Sequence, residues 1–123
     1  MNNVITLKLR RNEIPVTLEI EENSFQEYVL KEMSAHQRDK YLDSLQKRMA
    51  PSADGKSMVV SNFTGMQADL ISLCLHDASG VLVSSKIIQE WPSAAVTELF
   101  KASQTVNGLE TGRDAATEPE KNG

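Results

Sequence analysis

One cysteine, Cys74, stands in the whole chain, so no internal disulfide can brace the fold. It lies in the apolar run Leu70-Ile71-Ser72-Leu73-Cys74-Leu75 with no basic neighbour to activate it, and reads as a packed core thiol. No apolar run approaches the ~20 residues of a membrane span. The start Met-Asn-Asn-Val-Ile-Thr lacks the basic flank and long apolar core of a signal peptide, so the expectation is no membrane and a cytoplasmic location. Basic charge is also short. The net charge is -4; residues 1–50 balance 8 bases against 8 acids, and residues 51–123 hold 5 against 9. A nucleic-acid binder needs clustered Lys and Arg to displace phosphate counterions, so that partner is excluded. Arg10-Arg11 and Lys47-Arg48 are too short to reverse the balance and read as solvated surface. Aromatic residues are few: with three Phe, two Tyr and one Trp, Trp91 beside Pro92 reads as a core or hinge anchor.

Motifs that carry chemistry are missing as well. There is no Gly-x-Ser-x-Gly turn, no Gly-rich phosphate loop, no His-Glu-x-x-His and no calcium loop. Cys74 and His76 lie two apart, and on a helix that spacing points them about 200° from each other, unsuited to one metal ion. His36 falls in a charged helix and reads as solvated. Glu21-Glu22 precedes Ser24, where the pair favours the positive end of a helix. The residues give no catalytic group, no metal site, no cofactor and no enzyme.

What the chain does contain is patterning. At 123 residues it fits one domain, expected over 1–109. Ile5, Leu7 and Leu9, then Ile14, Val16 and Leu18, alternate with polar residues; this predicts a β-hairpin over 4–20 turning at Arg10-Arg11-Asn12-Glu13. Pro15 lacks an amide donor, so its strand is expected to be an edge or to pair imperfectly there. Ser24 with Glu27, Ser34 with Gln37, and Thr64 with Gln67 are capping-box pairs, predicting helices within 24–50 and over 64–78. Phe63 to Gly80 is the densest apolar segment and is expected to form the central buried helix, ended at Gly80. Ser57-Met-Val-Val-Ser61 reads as a short strand, and Val81-Leu82-Val83 as a strand stub or buried connector. Short helices follow over 85–91, with Ser84 or Ser85 as the candidate cap, and over 92–107, with Pro92 at the first position of the last one and Asn107-Gly108 at its end. Residues 110–123 offer too little apolar surface to offset their ordering entropy and read as a disordered tail. The expected class is α+β, mostly α-helical, with the hairpin packed on about four helices. Tyr41, Leu42, Leu45 and Met49 form a narrow apolar stripe on a charged helix, a candidate partner-binding face.

The order of these features resembles a known family. Gln-Arg-Asp-x-Tyr-Leu-x-x-Leu over 37–45 is followed by Phe63-x-Gly-Met-Gln-Ala-x-Leu-Ile-Ser-Leu-Cys-Leu and then His-Asp-Ala-x-Gly over 76–80. Val83, Ile87, Trp91-Pro92, Leu99-Phe100 and Asn107-Gly108-Leu109 come next. The series, over residues 25–109, resembles the tail assembly chaperones of long, non-contractile-tailed bacteriophages. Each motif alone is what a helical core displays; their order and spacing carry the likeness. The resemblance implies a late protein of the host cytoplasm, absent from the mature virion. It would bind the tape measure protein, keep it soluble and help recruit tail tube protein. Such chaperones are commonly made in two lengths by translational frameshifting. Glu120, Lys121 and Asn122 can be encoded by an A-rich slippery run, which makes them the candidate frameshift region, with tube protein recruited by the longer form. Self-association is a further partner expectation. The competing class is a structural minor tail or tail-completion protein of the virion.

Overall fold

The computed structural model of the chain describes residues 3–109. Glu13–Glu21 (β1) and Ser24–Lys31 (β2) form an antiparallel hairpin in the register Ile14 to Leu30, Val16 to Tyr28 and Leu18 to Gln26. Leu75–His76 (β5) pairs with the other side of β2, so the sheet order is β1-β2-β5 and β1 is an open edge. Ala35–Lys47 (α1), Met66–Ser72 (α2), Ser85–Ile88 (α3) and Ser93–Asn107 (α4) are the helices. Met49–Pro51 (β3) and Met58–Val60 (β4) pair as a separate two-stranded ribbon. The domain is mixed α+β.

The hairpin lies further along the chain than its alternation suggests. Residues 4–10 form no strand; the turn falls at Glu22-Asn23, where Asn23 takes a left-handed φ of 63° and its amide donates to Glu19 Oε2 at 3.1 Å. Ser24 is therefore not a helix cap, and Glu21-Glu22 flanks a hairpin turn instead of a helix start. Phe25, Tyr28 and Val29 share a helical face, but in the strand Phe25 and Val29 fall on one side of the sheet and Tyr28 on the other. Strand wins because Leu30 and Tyr28 then join Ile14, Val16 and Leu18 on one face of the sheet, against the core. With Ser24–Lys31 in the sheet, the helical share is smaller than expected.

Ser34 caps α1 as read: Gln37 N–H donates to Ser34 Oγ at 3.2 Å, and Ser34 N–H donates to Gln37 Oε1 at 2.9 Å. The helix stops one turn early because Met49–Pro51 leaves it to pair with β4. The central helix is shorter than 64–78 as well. Gly65, at φ 74°, is its N-cap in place of Thr64, and it ends at Leu73. Cys74 to Val83 is then a tight hairpin: Val83 N–H donates to Leu75 O at 2.9 Å, Asp77 N–H to Val81 O at 2.8 Å, and Asp77 Oδ1 accepts from Ser79 and Val81 amides. Gly80, at φ 84°, turns this hairpin instead of ending a helix. Ser84 caps α3, and Gly108, at φ 69°, closes α4, both as expected, while Pro92 is the N-cap residue just before Ser93.

Leu30, Leu70, Ile71, Cys74, Leu75 and Ile88 are fully buried and join α2, α3 and the sheet; Leu99 on α4 packs with them. Among the described residues one polar side chain is buried, Ser103, which donates its hydroxyl to Leu99 O at 2.7 Å. Asn107, at the end of α4, ties distant parts together. Its Oδ1 accepts from Met33 N–H at 2.8 Å, and its Nδ2 reaches Ser103 O at 2.8 Å and Cys74 Sγ at 3.3 Å.

Candidate functional site

An open groove of about 370 Å³ lies at the start of α2, lined by Phe63, Met66, Gln67, Gln89, Trp91 and Val96 among others. A polar network reaches it through Gln89 and through the neighbours of Phe63. Arg48, from the end of α1, donates through Nη2 to Asp69 Oδ2 and through Nη1 to Thr64 O at 2.7 Å and Asn62 O at 3.1 Å. Those two carbonyls flank Phe63. Asp69 also accepts from Ser85 Oγ at 3.0 Å, and that hydroxyl accepts from Gln89 Nε2 at 3.0 Å. One carboxylate thereby joins α1, α2 and α3.

With its two neighbours clamped, Phe63 faces outward and is 65% exposed. Gly65 makes the approach possible: a Cβ there would meet Gln89 Nε2 at 3.2 Å, on a backbone already at positive φ. On the far wall, Trp91 is held edge-on by Tyr28, with ring centroids 6.3 Å apart and planes at 72°. The groove therefore joins apolar side chains with the polar Gln67, Gln89 and Ser93, and has one exposed aromatic, Phe63.

The sequence stripe Tyr41, Leu42, Leu45 and Met49 is divided by the fold. Tyr41 is buried, and burial, followed by the nearby Cys74, raises its hydroxyl pKa above the ordinary value. Leu45 packs against the core and Met49 lies in β3; Leu42 remains outward at 47% exposure. Arg48, read as solvated, is instead the centre of the network, with a side chain only 13% exposed beside Asp69. A lone acid within an otherwise apolar helix was the available signal, since a carboxylate placed there demands a partner. Cys74 is pushed up to about 11 by desolvation, which outweighs the opposing hydrogen bond from Asn107. His76 Nδ1 lies 3.0 Å from Cys74 O, and His36 is exposed. Among the described residues no three His, Cys, Asp or Glu side chains are grouped as metal ligands would be. No helix among them is long and apolar enough to cross a membrane. Glu120, Lys121 and Asn122, with the rest of the 110–123 segment, lie outside the described residues.

The chain matches no family model, no curated protein and no solved structure.

Proposed function

We propose that this chain is a tail assembly chaperone of a long, non-contractile phage tail, and that it holds the tape measure protein in the groove at the start of α2. The observation that supports this reading is a convergence. Phe63, Met66, Gln67 and Ala68 come from one part of the series that resembles those chaperones and Trp91 from another, and all five line one groove. An amphipathic helix docks in such a groove by laying apolar side chains at i, i+3 or i+4, and i+7 along it. A tape measure protein is a long helix with apolar stripes, which must be covered until tube protein surrounds it. Many weak copies bound in series give avidity while each remains displaceable. Binding takes place in the host cytoplasm, and tube protein recruitment falls to a longer, frameshifted product.

The test is co-expression with the long helical protein encoded beside this one, followed by a pull-down. Phe63→Asp should reduce capture at least about tenfold while the circular dichroism spectrum is unchanged, because the side chain is mostly in solvent. Undiminished capture by that variant would sink the groove assignment. Mass spectrometry of purified virions separates the competing class: abundant chain in the particle would identify a minor tail or tail-completion protein.

A further inference from the structure

Residues 4–10 carry the alternation of a strand but have none of the partners of one. Ile5, Leu7 and Leu9 are 80%, 76% and 95% exposed, and all of residues 3–10 are exposed. An unpaired apolar strand seeks a sheet edge. The same molecule offers one in β1, which pairs with β2 on one side only. The arm cannot fold back onto its own β1 by a turn at Arg10–Glu13 while Asn12 stays in the ladder. Asn12 O accepts from Glu32 N–H at 2.8 Å and Asn12 N–H donates to Glu32 Oε1 at 3.1 Å, which ties Asn12 to the residue just past the end of β2.

We infer that the arm of one copy adds as an antiparallel strand to the β1 edge of a second copy, reciprocally, in a closed two-fold dimer. Charge fits this occupant. Residues 3–12 contain Lys8, Arg10 and Arg11 and no acid, while residues 13–22 contain Glu13, Glu19, Glu21 and Glu22 and no base. Shape fits as well. A notch of about 200 Å³ lined by Leu18, Ile20, Trp91, Pro92 and Ala95 lies beside β1 on its core-facing side. Setting Leu9 opposite Leu18 and Leu7 opposite Ile20 turns the arm's apolar face toward that notch and brings Lys8 opposite Glu19. The backbone supplies the bonds. Counting along the ladder from the Asn12–Glu32 pair, Glu13, Pro15, Thr17 and Glu19 point their main-chain groups away from β2, and Pro15 alone has no amide to offer. This interface shares Trp91 with the groove at Phe63 but is built on the β1 edge and does not depend on the chaperone reading.

Sedimentation of the full chain tests it. The native chain should form dimers, and Leu7→Asp with Leu9→Asp should raise the dissociation constant at least about 100-fold, with an unchanged circular dichroism spectrum. A chain carrying both Leu9→Cys and Leu18→Cys should oxidise to a covalent dimer. Lys8→Glu should weaken the dimer, and adding Glu19→Lys should restore it. A monomeric native chain, dimers that survive Leu7→Asp with Leu9→Asp, a Leu9–Leu18 disulfide confined to single chains, or open-ended larger species would each overturn the proposal.

Discussion

Residues 4–10 and 13–21 carry the same two-residue alternation, yet only the second stretch is in the sheet. What separates them is the strand opposite. β1 faces β2 along its length, so Ile14, Val16 and Leu18 meet Leu30 and Tyr28 across the ladder and α4 above it. The arm precedes the last residue paired with β2, and within the single chain its leucines are exposed. Alternation specifies a face; a partner strand decides whether that face is buried.

Matched substitutions sharpen the contrast. Leu30→Ala, on the paired side, should cost about 2–5 kcal/mol in chemical unfolding, since Leu30 is fully buried and leaves a cavity. Leu9→Ala on the arm should change unfolding by less than about 0.5 kcal/mol in dilute protein, because the side chain is 95% exposed. A loss at Leu9 comparable with that at Leu30 would break the comparison.

Alkali probes the paired side from beneath. Cys74 O accepts the amide of Lys31, and the Cys74 thiol titrates near 11 in the folded chain against an ordinary 9.0. A folded pKa above the unfolded one means the stabilisation is whole below pH ~9 and is lost as pH rises toward ~11, by roughly 2–3 kcal/mol. Unfolding titrations across that window should show the decline, and Cys74→Ala should flatten it. Tyr41, also raised, adds to the loss in the same direction.

Two smaller effects concern the groove. Asp69→Asn should destabilise by about 1–3 kcal/mol, because Arg48 would keep its burial and lose its counter-charge. Gly65→Ala should cost about 1–2 kcal/mol, since an L side chain is strained at φ 74° and Gln89 would have to give way. Thermal unfolding of each variant is the measurement, and an unaffected Asp69→Asn would mean the network is incidental.

Much of the helical part was legible. Ser34 with Gln37, Ser84 before the α3 residues, and Gly108 after Asn107 are local signals whose hydrogen bonds or backbone angles are met within a few residues. The sheet was less so. Ser24 with Glu27 satisfies the capping-box rule, but that rule cannot see that Leu30 has Ile14 on one side and Leu75 on the other. The candidate site shared the same blind spot. Phe63 and Met66 lie about 25 residues from Trp91 in the sequence, and only the folded chain sets them on one groove; the Arg48–Asp69 contact beside it likewise joins residues 21 apart. Tyr41, Leu42, Leu45 and Met49 were grouped by helical spacing alone, and the departure of Met49 into β3 removes the last of them from that helix.

The hydrogen bond from Met33 N–H to Asn107 Oδ1 spans 74 residues. On a ribosome, the junction of β2 and α1 is complete only once the end of α4 has emerged, so the first half of the domain waits for nearly the whole of it. A chain released at Ser103 should therefore lose its cooperative unfolding transition, while one released at Leu109 should keep it. Stalled chains of increasing length, probed by proteolysis, would reveal a single late step at which protection appears from Glu13 to Leu109 together.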